Sequence, residues 1–160
     1  MEKEIKELLG IIQSHRDRTY RKINEELVEM YFEIGKYLST KIKAEKWGAK
    51  TIESISKKLM KAYPNLKGFN RAGLYRMVQF YEEYRDNIIV STLSRQISWS
   101  NNILILSSTK TIEEKEFYLR PCIKHNYSYR ELNRQITSGY YEGYLLSDGN
   151  TLESLNLELN

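Results

Sequence analysis

The chain has few of the residues that build disulfide frameworks or metal centres. Its 160 residues include one cysteine, Cys122, and two histidines, His15 and His125. A single cysteine excludes an intrachain disulfide, and no further nitrogen or sulfur ligand stands at a metal-binding spacing from either histidine. Cys122 lies on the apolar side of a predicted helix, so we expect a buried, unreactive thiol. We expect both histidines at the surface or at helix ends, and we predict no metal or other cofactor.

Long apolar runs and a secretory leader are also missing. No run approaches the roughly 20 apolar residues of a membrane-spanning helix, and the opening sequence MEKEIKELL is too charged for a secretory signal. We therefore predict a cytoplasmic protein of a prokaryotic cell, without a membrane partner. Only two prolines interrupt the chain, and 41% of its residues are apolar, which suits a single helical domain with its own core.

Acidic residues are scarce between residues 41 and 77. This basic segment contains ten of the 25 lysines and arginines but only two acids, Glu45 and Glu53, so its net charge is +8 against +4 for the whole chain. Positive potential attracts phosphate groups, and the segment also has the pattern of two helices separated by a glycine-containing turn. It is therefore typical of a nucleic-acid-binding helix-turn-helix. The alternative is a solvated lysine-rich surface.

Local signals predict a helix-turn-helix at residues 51–84. Thr51 is suited to cap the first helix, whose apolar residues recur every three or four positions, and Tyr63-Pro64 ends it. Asn70 is suited to cap the second helix, predicted from Arg71 to Tyr84. The turn between them is longer than the three or four residues of the standard motif, so we predict a variant form.

Candidate contacts to nucleic acid come from both helices and the turn. Lysines of the first helix and the turn are predicted to contact phosphates: Lys50, Lys57, Lys58, Lys61 and Lys67. Polar side chains on the second helix and at its start are predicted to face a groove: Asn70, Arg71, Tyr75, Arg76 and Gln79. Duplex DNA is the predicted partner. RNA is the alternative, because backbone charge does not distinguish the two.

The first 45 residues contain no proline and predict helix throughout. We expect a short first helix, a break at Gly10, and then a long helix at 17–45. Apolar residues of the long helix follow steps of three and four and define a predicted seam: Tyr20, Ile23, Leu27, Met30, Ile34 and Tyr37. Gly35 is expected to permit close approach of another helix. The seam packs either on its own domain or on a second subunit, and a homodimer would match two-fold DNA readers.

The apolar stretch after the predicted helix-turn-helix, residues 88–107, has two interpretations. We favour two short helices, at 91–97 and 100–107; the alternative is a β-wing with strands at 88–90 and 102–106. Trp99 has apolar neighbours on both sides, so we expect it to anchor the core rather than to stack on a base.

The last third has two clear helix starts. Capping boxes at Thr111–Glu114 and Ser128–Glu131 predict helices at 112–125 and 129–146, which form a second hairpin within 111–146. The second of these helices displays basic and aromatic residues, namely Arg130, Arg134 and Tyr141, but acids nearly cancel its charge. We expect an architectural role; added phosphate contacts are the alternative. Residues 147–160 form an acidic, leucine-containing tail that adds a strand to a neighbour, folds back, or links to a missing domain.

Several motifs, in this order, resemble the N-terminal domain of the YhcG family. They are YFEIGKYL (31–38), W-G (47–48), KAYPNLKGFNRAGLYRMVQFYEEY (61–84), SWSNN (98–102), EFYL (116–119) and YSYRELNRQI (127–136). The resemblance spans about residues 31–145. It implies a helical, helix-turn-helix-like domain that family members join to a C-terminal PD-(D/E)XK nuclease domain, and this chain ends where that domain would begin. Gly73 stands where the family usually has Asn, and Asn101 where it commonly has His.

A nuclease of that type needs strand-borne carboxylates to bind Mg²⁺ beside a lysine. Two Glu-x-Lys triplets, at 4–6 and 113–115, lie in helix-patterned segments without such a strand, so we discount them. We therefore predict an all-α helical bundle at 1–146 that binds DNA, lacks catalysis of its own and targets a nuclease supplied elsewhere. A protein-interaction or dimerisation scaffold and a nuclease in its own right are the alternatives.

Overall fold

The structure, a computed structural model, describes residues 1–147, which form eight helices joined by short turns. The helices are α1 (Glu2–Glu45), α2 (Ala49–Ala62), α3 (Arg71–Tyr84), α4 (Ile88–Ser94), α5 (Trp99–Ser108), α6 (Ile112–His125), α7 (Tyr129–Thr137) and α8 (Tyr140–Leu146). No strand occurs in this part of the chain, which confirms the predicted all-α class. None of these helices combines the length and the apolar composition that crossing a bilayer requires.

The β-wing alternative at residues 88–107 is wrong, because this stretch forms α4 and α5. Side-chain caps start both helices. The Asn87 side chain accepts a hydrogen bond from the Val90 N–H at 2.9 Å, and the Ser98 hydroxyl accepts one from the Asn101 N–H at 3.1 Å. Caps of this kind satisfy N–H groups that the first turn leaves without helical partners.

Helix α1 is continuous over 44 residues, which at 1.5 Å per residue is about 66 Å. The prediction of a separate first helix ahead of a long helix at 17–45 is therefore wrong. Gly10 does not break α1, because one glycine lowers helix stability by only about 1 kcal/mol and no neighbouring element contacts it. Every residue from Met1 to Ile23 is exposed, so the first half of α1 projects away from the rest of the molecule.

The second half of α1 packs against α3, and its buried face differs from the predicted seam. The buried residues are Val28, Tyr31, Gly35, Leu38 and Ser39. Within the seam, Ile23 and Tyr37 are each 59% exposed, and Leu27, Met30 and Ile34 are only partly buried at the edge of the core. Periodicity identified a real apolar stripe, but α1 is rotated so that the neighbouring stripe faces α3.

Gly35 explains this rotation. A Cβ atom at Gly35 would lie 2.0 Å from the carbonyl oxygen of Met77, so the backbones of α1 and α3 meet there without an intervening side chain. The close approach predicted at Gly35 is thus confirmed. Since only glycine fits this contact, the side of α1 that contains Gly35 must face α3.

The core consists of two clusters that Trp99 connects. One cluster lies between α1, α2 and α3 and contains Ile52, Leu74 and Met77; the other contains Val28 of α1 and residues of α3 to α7. The Trp99 ring lies 4.5 Å from the Tyr31 ring and 5.2 Å from the Phe80 ring, measured between centroids. Trp99 packs against both clusters, which confirms its predicted role as a core anchor.

Helix α6 has the predicted bounds, and Thr111 is its cap, as predicted. The Thr111 hydroxyl accepts from the Glu114 N–H at 3.1 Å, whereas the Glu114 carboxylate accepts from the Lys110 N–H at 2.9 Å rather than from Thr111 itself. The prediction of one continuous helix at 129–146 is wrong. It ends after Thr137 and restarts at Tyr140, because Gly139 adopts a left-handed conformation with φ of 73°.

The break after α7 turns α8 back onto α6. The Tyr141 ring lies 5.1 Å from the Phe117 ring, and the Tyr141 N–H donates to the Tyr118 hydroxyl at 3.1 Å. Tyr141 therefore packs at the core and is not displayed with Arg130 and Arg134, as had been predicted. Apart from Ser147, the predicted tail at 147–160 lies outside the described residues.

The cysteine and both histidines lie where the sequence predicts them. Cys122 is only 2% exposed, and burial raises the pKa of its thiol to about 11, which keeps it protonated near neutral pH. His15 is exposed on α1, and His125 is the exposed last residue of α6.

Replacement by alanine should have opposite effects on stability at Gly10 and Gly35. We expect Gly35→Ala to lower the free energy of unfolding by about 1–3 kcal/mol, because the new methyl group forces α1 and α3 apart. Gly10→Ala, the matched control, should raise helix stability by up to about 1 kcal/mol, since its Cβ meets no neighbour. Urea unfolding followed by circular dichroism measures both. A Gly35→Ala variant as stable as Gly10→Ala would contradict the close contact.

Candidate nucleic-acid interface

The basic segment folds as α2 and α3, connected by the turn at 63–70. Helix α2 begins at Ala49, directly after extended Gly48, so Thr51 lies inside its first turn and is not the predicted cap. The Gly48 carbonyl instead accepts from the Ile52 N–H at 3.2 Å. As predicted, α2 ends ahead of Tyr63-Pro64, and α3 spans residues 71–84.

Two side chains from the core fasten the turn. The Tyr31 hydroxyl of α1 donates to the Lys67 carbonyl at 2.9 Å, and the Ser56 hydroxyl of α2 donates to the Phe69 carbonyl at 2.7 Å. Phe69 itself is buried in the cluster between α1, α2 and α3. The turn is therefore attached to two helices and to the core, which determines where α3 starts.

The first turn of α3 lies against the preceding loop. The Asn70 side chain accepts from the Gly73 N–H at 2.7 Å, which is the predicted cap. A Cβ at Gly73 would lie 2.0 Å from the Gly68 carbonyl oxygen. Any side chain here, including the Asn that the YhcG family usually has, would require this loop to move.

Helix α2 presents a row of lysines to solvent. Lys50, Lys57 and Lys61 lie at spacings of seven and four residues, which places them on one side of the helix. All three are exposed, whereas Ile52 and Ser56 face the core. The row extends about 16 Å along α2, at 1.5 Å per residue.

A shallow groove of about 530 Å³ lies beside this row, between α2 and the start of α3. Four of the predicted contact residues line it, namely Lys50, Lys57, Lys58 and Arg71. The other lining residues, which were not predicted, are Ala49, Glu53 and Ser54. The Arg71 guanidinium lies 3.6 Å from the Glu53 carboxylate, and both side chains are about half exposed. Such exposed pairs contribute little free energy, so a phosphate can compete for Arg71.

Glu53 and Ser54 are the polar residues of this groove that were not predicted as contacts. Each stands four residues before a predicted lysine, Lys57 or Lys58, on the same helix. Helical spacing alone would therefore have placed them beside those lysines.

The exposed side of α3 changes character along its length. Tyr75 is exposed, and the Arg76 guanidinium donates to the Gln79 side-chain oxygen at 3.2 Å. Gln79 in turn donates to the Glu83 carboxylate at 3.2 Å. The first half of α3 thus presents Arg71, Tyr75 and Arg76, and the second half is acidic.

The structure brings the predicted residues together in three neighbouring groups. Lys50, Lys57 and Lys58 meet Arg71 at the groove, and Tyr75, Arg76 and Gln79 share the exposed side of α3. Lys61 continues the α2 row. The remaining two lie on the turn and at the α3 cap: exposed Lys67 and Asn70.

Carboxylates neutralise only part of the basic segment. Lys41 pairs with Glu45 at 2.8 Å, Lys43 lies 3.5 Å from Glu82, and Arg71 contacts Glu53. Within residues 1–147, no carboxylate lies in ion-pair range of five exposed lysines, namely Lys50, Lys57, Lys58, Lys61 and Lys67. Five cations without a carboxylate partner therefore lie together on α2 and the adjoining turn, and a second such group, Arg16, Arg18, Arg21 and Lys22, lies on α1.

Asn101, where the YhcG family commonly has His, has a structural role in this chain. It is 4% exposed, and its amide donates to the Tyr127 carbonyl at 2.9 Å and contacts the Cys122 sulfur at 3.6 Å. These contacts join α5 to the turn between α6 and α7. Asn101 and Cys122 also border a cavity of about 660 Å³ between this turn and α1.

Comparison with known proteins places this helical chain among sequences of one family. The family model described as the DUF1016 N-terminal domain matches residues 7–143. Over 175 aligned positions the chain is 25% identical to the Escherichia coli (strain K12) protein named "Putative nuclease YhcG". That alignment covers 88% of this chain and 45% of the relative, so the chain spans about half the relative's length. No solved structure matches the chain.

The hydrogen bond from Ser56 to the turn predicts a measurable loss of stability. Ser56→Ala should lower the free energy of unfolding by about 1–3 kcal/mol, because the Phe69 carbonyl loses its buried donor. Ser54→Ala, on the exposed side of the same helix, is the matched control and should stay within about 0.5 kcal/mol of the unaltered protein. Thermal or urea unfolding compares them; equal stabilities would show that Ser56 does not fasten the turn.

Proposed function

Because the chain belongs to the family of the DUF1016 N-terminal domain, we propose that it is a DNA-binding module that targets or positions a nuclease domain supplied elsewhere. The name of the Escherichia coli relative, a nuclease about twice as long as the matched region, supports a role beside DNA cleavage. In this proposal residues 1–146 are the binding domain, residues 147–160 link it to its partner, and the chain itself performs no catalysis.

The observation that carries the proposal is the set of five exposed lysines without carboxylate partners on α2 and the turn. A solvated surface usually mixes charges of both signs, so that opposite charges partly cancel. Here Lys50, Lys57 and Lys61 form a row beside the groove that Arg71 borders. Lys57 and Lys61 are about one turn of α2 apart, and Lys50 lies about two turns before Lys57, so the row can contact several phosphates along one DNA strand.

In this arrangement α2 lies along the DNA backbone and the first half of α3 approaches a groove. Arg71 leaves Glu53 for a phosphate or a base edge, and Tyr75 and Arg76 follow one turn further along α3. An arginine fork can bind a guanine edge through two hydrogen bonds, whereas lysines of the row contact phosphates without reading sequence. The acidic second half of α3 repels the backbone and so limits the contact to the first two turns.

We expect the lysine row to determine both the affinity for DNA and its salt dependence. Replacing Lys50, Lys57 and Lys61 together by alanine should weaken binding to a random duplex at least tenfold. It should also reduce the slope of log K against log salt by about 3, since three phosphate contacts are lost. Fluorescence anisotropy at several salt concentrations measures both quantities.

The matched control removes the same charge from α7 and the start of α6. Lys110, Arg130 and Arg134 are exposed there, and Arg134 already contacts Glu131. Their triple alanine variant should bind nearly as well as the unaltered protein. Equal losses in the two variants would mean that net charge alone drives binding, and would contradict an interface on α2 and α3. Stronger binding to duplex RNA than to DNA would reassign the partner.

The ion pair between Arg71 and Glu53 predicts a gain of affinity. Glu53→Gln releases Arg71 and removes a negative charge from the groove, so DNA should bind several-fold more tightly. Arg71→Ala and Arg76→Ala should each weaken binding by about 1–3 kcal/mol if they contact bases. The same anisotropy titration tests all three variants. Weaker binding by Glu53→Gln would place the groove outside the interface.

The rival functions have separate tests. A nuclease in its own right would cleave duplex DNA in the presence of Mg²⁺, and we expect this chain to cleave none. A scaffold that dimerises without binding nucleic acid would give no shift with random duplex at moderate salt. The exposed first half of α1 favours homodimerisation in addition to DNA binding.

A further inference from the structure

The first half of α1 has an apolar stripe that no other part of residues 1–147 covers. The stripe residues, which are 47–61% exposed, are Ile5, Leu8, Leu9, Ile12, Tyr20 and Ile23. None of them belongs to either core cluster. An amphipathic helix that leaves such a stripe exposed lacks the packing that normally stabilises helices of this kind.

The stripe stays open because of the rotation of α1. At 100° per residue, Ile5, Ile12 and Ile23 lie on one side of α1, more than a third of a turn from the side that contains Val28 and Gly35. Since Gly35 is held against α3, the stripe cannot turn toward the body of the same molecule.

The charges of this section identify a second copy of the chain as the partner. Residues 2–12 carry Glu2, Glu4 and Glu7 against two lysines, for a net charge of −1, whereas residues 13–23 carry four basic residues against Asp17, for a net charge of +3. The basic group consists of Arg16, Arg18, Arg21 and Lys22. Two copies that run in opposite directions bring the acidic end of each against the basic end of the other, whereas parallel copies bring like charges together.

We propose that residues 2–23 of α1 form an antiparallel helix pair with the same residues of a second copy, with residue i of one copy facing residue 25−i of its partner. In this register the Ile12 side chains of the two copies meet at the two-fold axis, and Ile5 packs beside Tyr20 of the other copy. The geometry is that of an isologous dimer, in which one surface is complementary to itself.

The flanks of the stripe fit the same register. Glu4 and Lys22 are 18 residues apart, which is five full turns, so they lie on the same flank of the stripe. Lys6 and Asp17 lie close together on the opposite flank. Antiparallel helices contact each other through identical flanks, so Glu4 meets Lys22 and Lys6 meets Asp17 across the pair. Glu4 already lies 2.7 Å from the Met1 ammonium group, and Asp17 accepts from the Gln13 amide; both contacts are exposed and weak enough to exchange.

The length of the proposed pairing, residues 2–23, also matches the point at which α1 is attached to the rest of the molecule. Asp17, Tyr20 and Arg21 border the cavity between α1 and the turn after α6, and Asn24 donates to the carbonyls of Arg95 and Ile97. Pairing over residues 2–23 therefore ends before the hydrogen bonds that attach α1 to the body. The two bodies then lie at opposite ends of the pair, and their α2 surfaces remain open.

Sedimentation equilibrium of the full chain tests the pairing. The protein should be a dimer at about 100 μM. Ile12→Glu, which brings two carboxylates together at the two-fold axis, should weaken dimerisation at least tenfold without changing the helix content, because Ile12 is 54% exposed and belongs to neither core cluster. Ile88→Glu, at an apolar position of α4 that is 81% exposed, is the matched control and should remain dimeric.

A spin label attached to Glu4→Cys tests the orientation, and buried Cys122 should not react with the label. Labels on an antiparallel pair should be about 25–30 Å apart, and on a parallel pair about 10 Å apart.

A short distance between the labels, or a dimer that Ile12→Glu does not affect, would overturn the proposal. A monomeric full chain would also overturn it and would leave the acidic, leucine-containing segment 148–160 as the next candidate for covering the stripe. None of these measurements involves nucleic acid, so their outcome is independent of the proposed DNA binding.

Discussion

The rest of the structure depends on the backbone contact between Gly35 of α1 and the Met77 carbonyl of α3. Because no side chain separates the two helices there, the rotation of α1 about its axis is determined. That rotation directs Tyr31 inward, where its hydroxyl reaches the Lys67 carbonyl and its ring stacks on Trp99. The turn before α3, the start of α3 and the junction of the two core clusters therefore follow from one close approach.

The same rotation decides which parts of α1 are buried and which stay exposed. The second half of α1 supplies Val28 and Tyr31 to the core, and its first half leaves an apolar stripe open. Acids near the α1–α3 contact neutralise Lys41 and Lys43, whereas the lysines of α2 have no such partners among the described residues. The outer side of α2, away from the buried interface, thus carries positive charge that no ion pair among the described residues neutralises.

Local signals predicted some elements well and missed others. The bounds of α3 and α6 follow from Asn70 and Thr111, because a capping side chain and the N–H that it accepts from are only three residues apart. The break at Gly139 also had a local signal in Ser138-Gly139, a usual helix end that the prediction passed over. In the candidate interface, the basic residues could be predicted from composition. The position of Glu53 beside Lys57 could be predicted from helical spacing.

The sequence alone determined the all-α class, the caps at Asn70, Thr111 and Ser128, the excess of positive charge between residues 41 and 77 and the unreactive Cys122. These properties depend on residue type and on neighbours within one helical turn. Only the tertiary structure decided which stripe of α1 is buried, that Arg71 lies beside Glu53, and that Tyr141 packs on Phe117. Apolar periodicity identifies two stripes a quarter turn apart on α1, and the choice between them rests on a carbonyl oxygen 42 residues further along the chain.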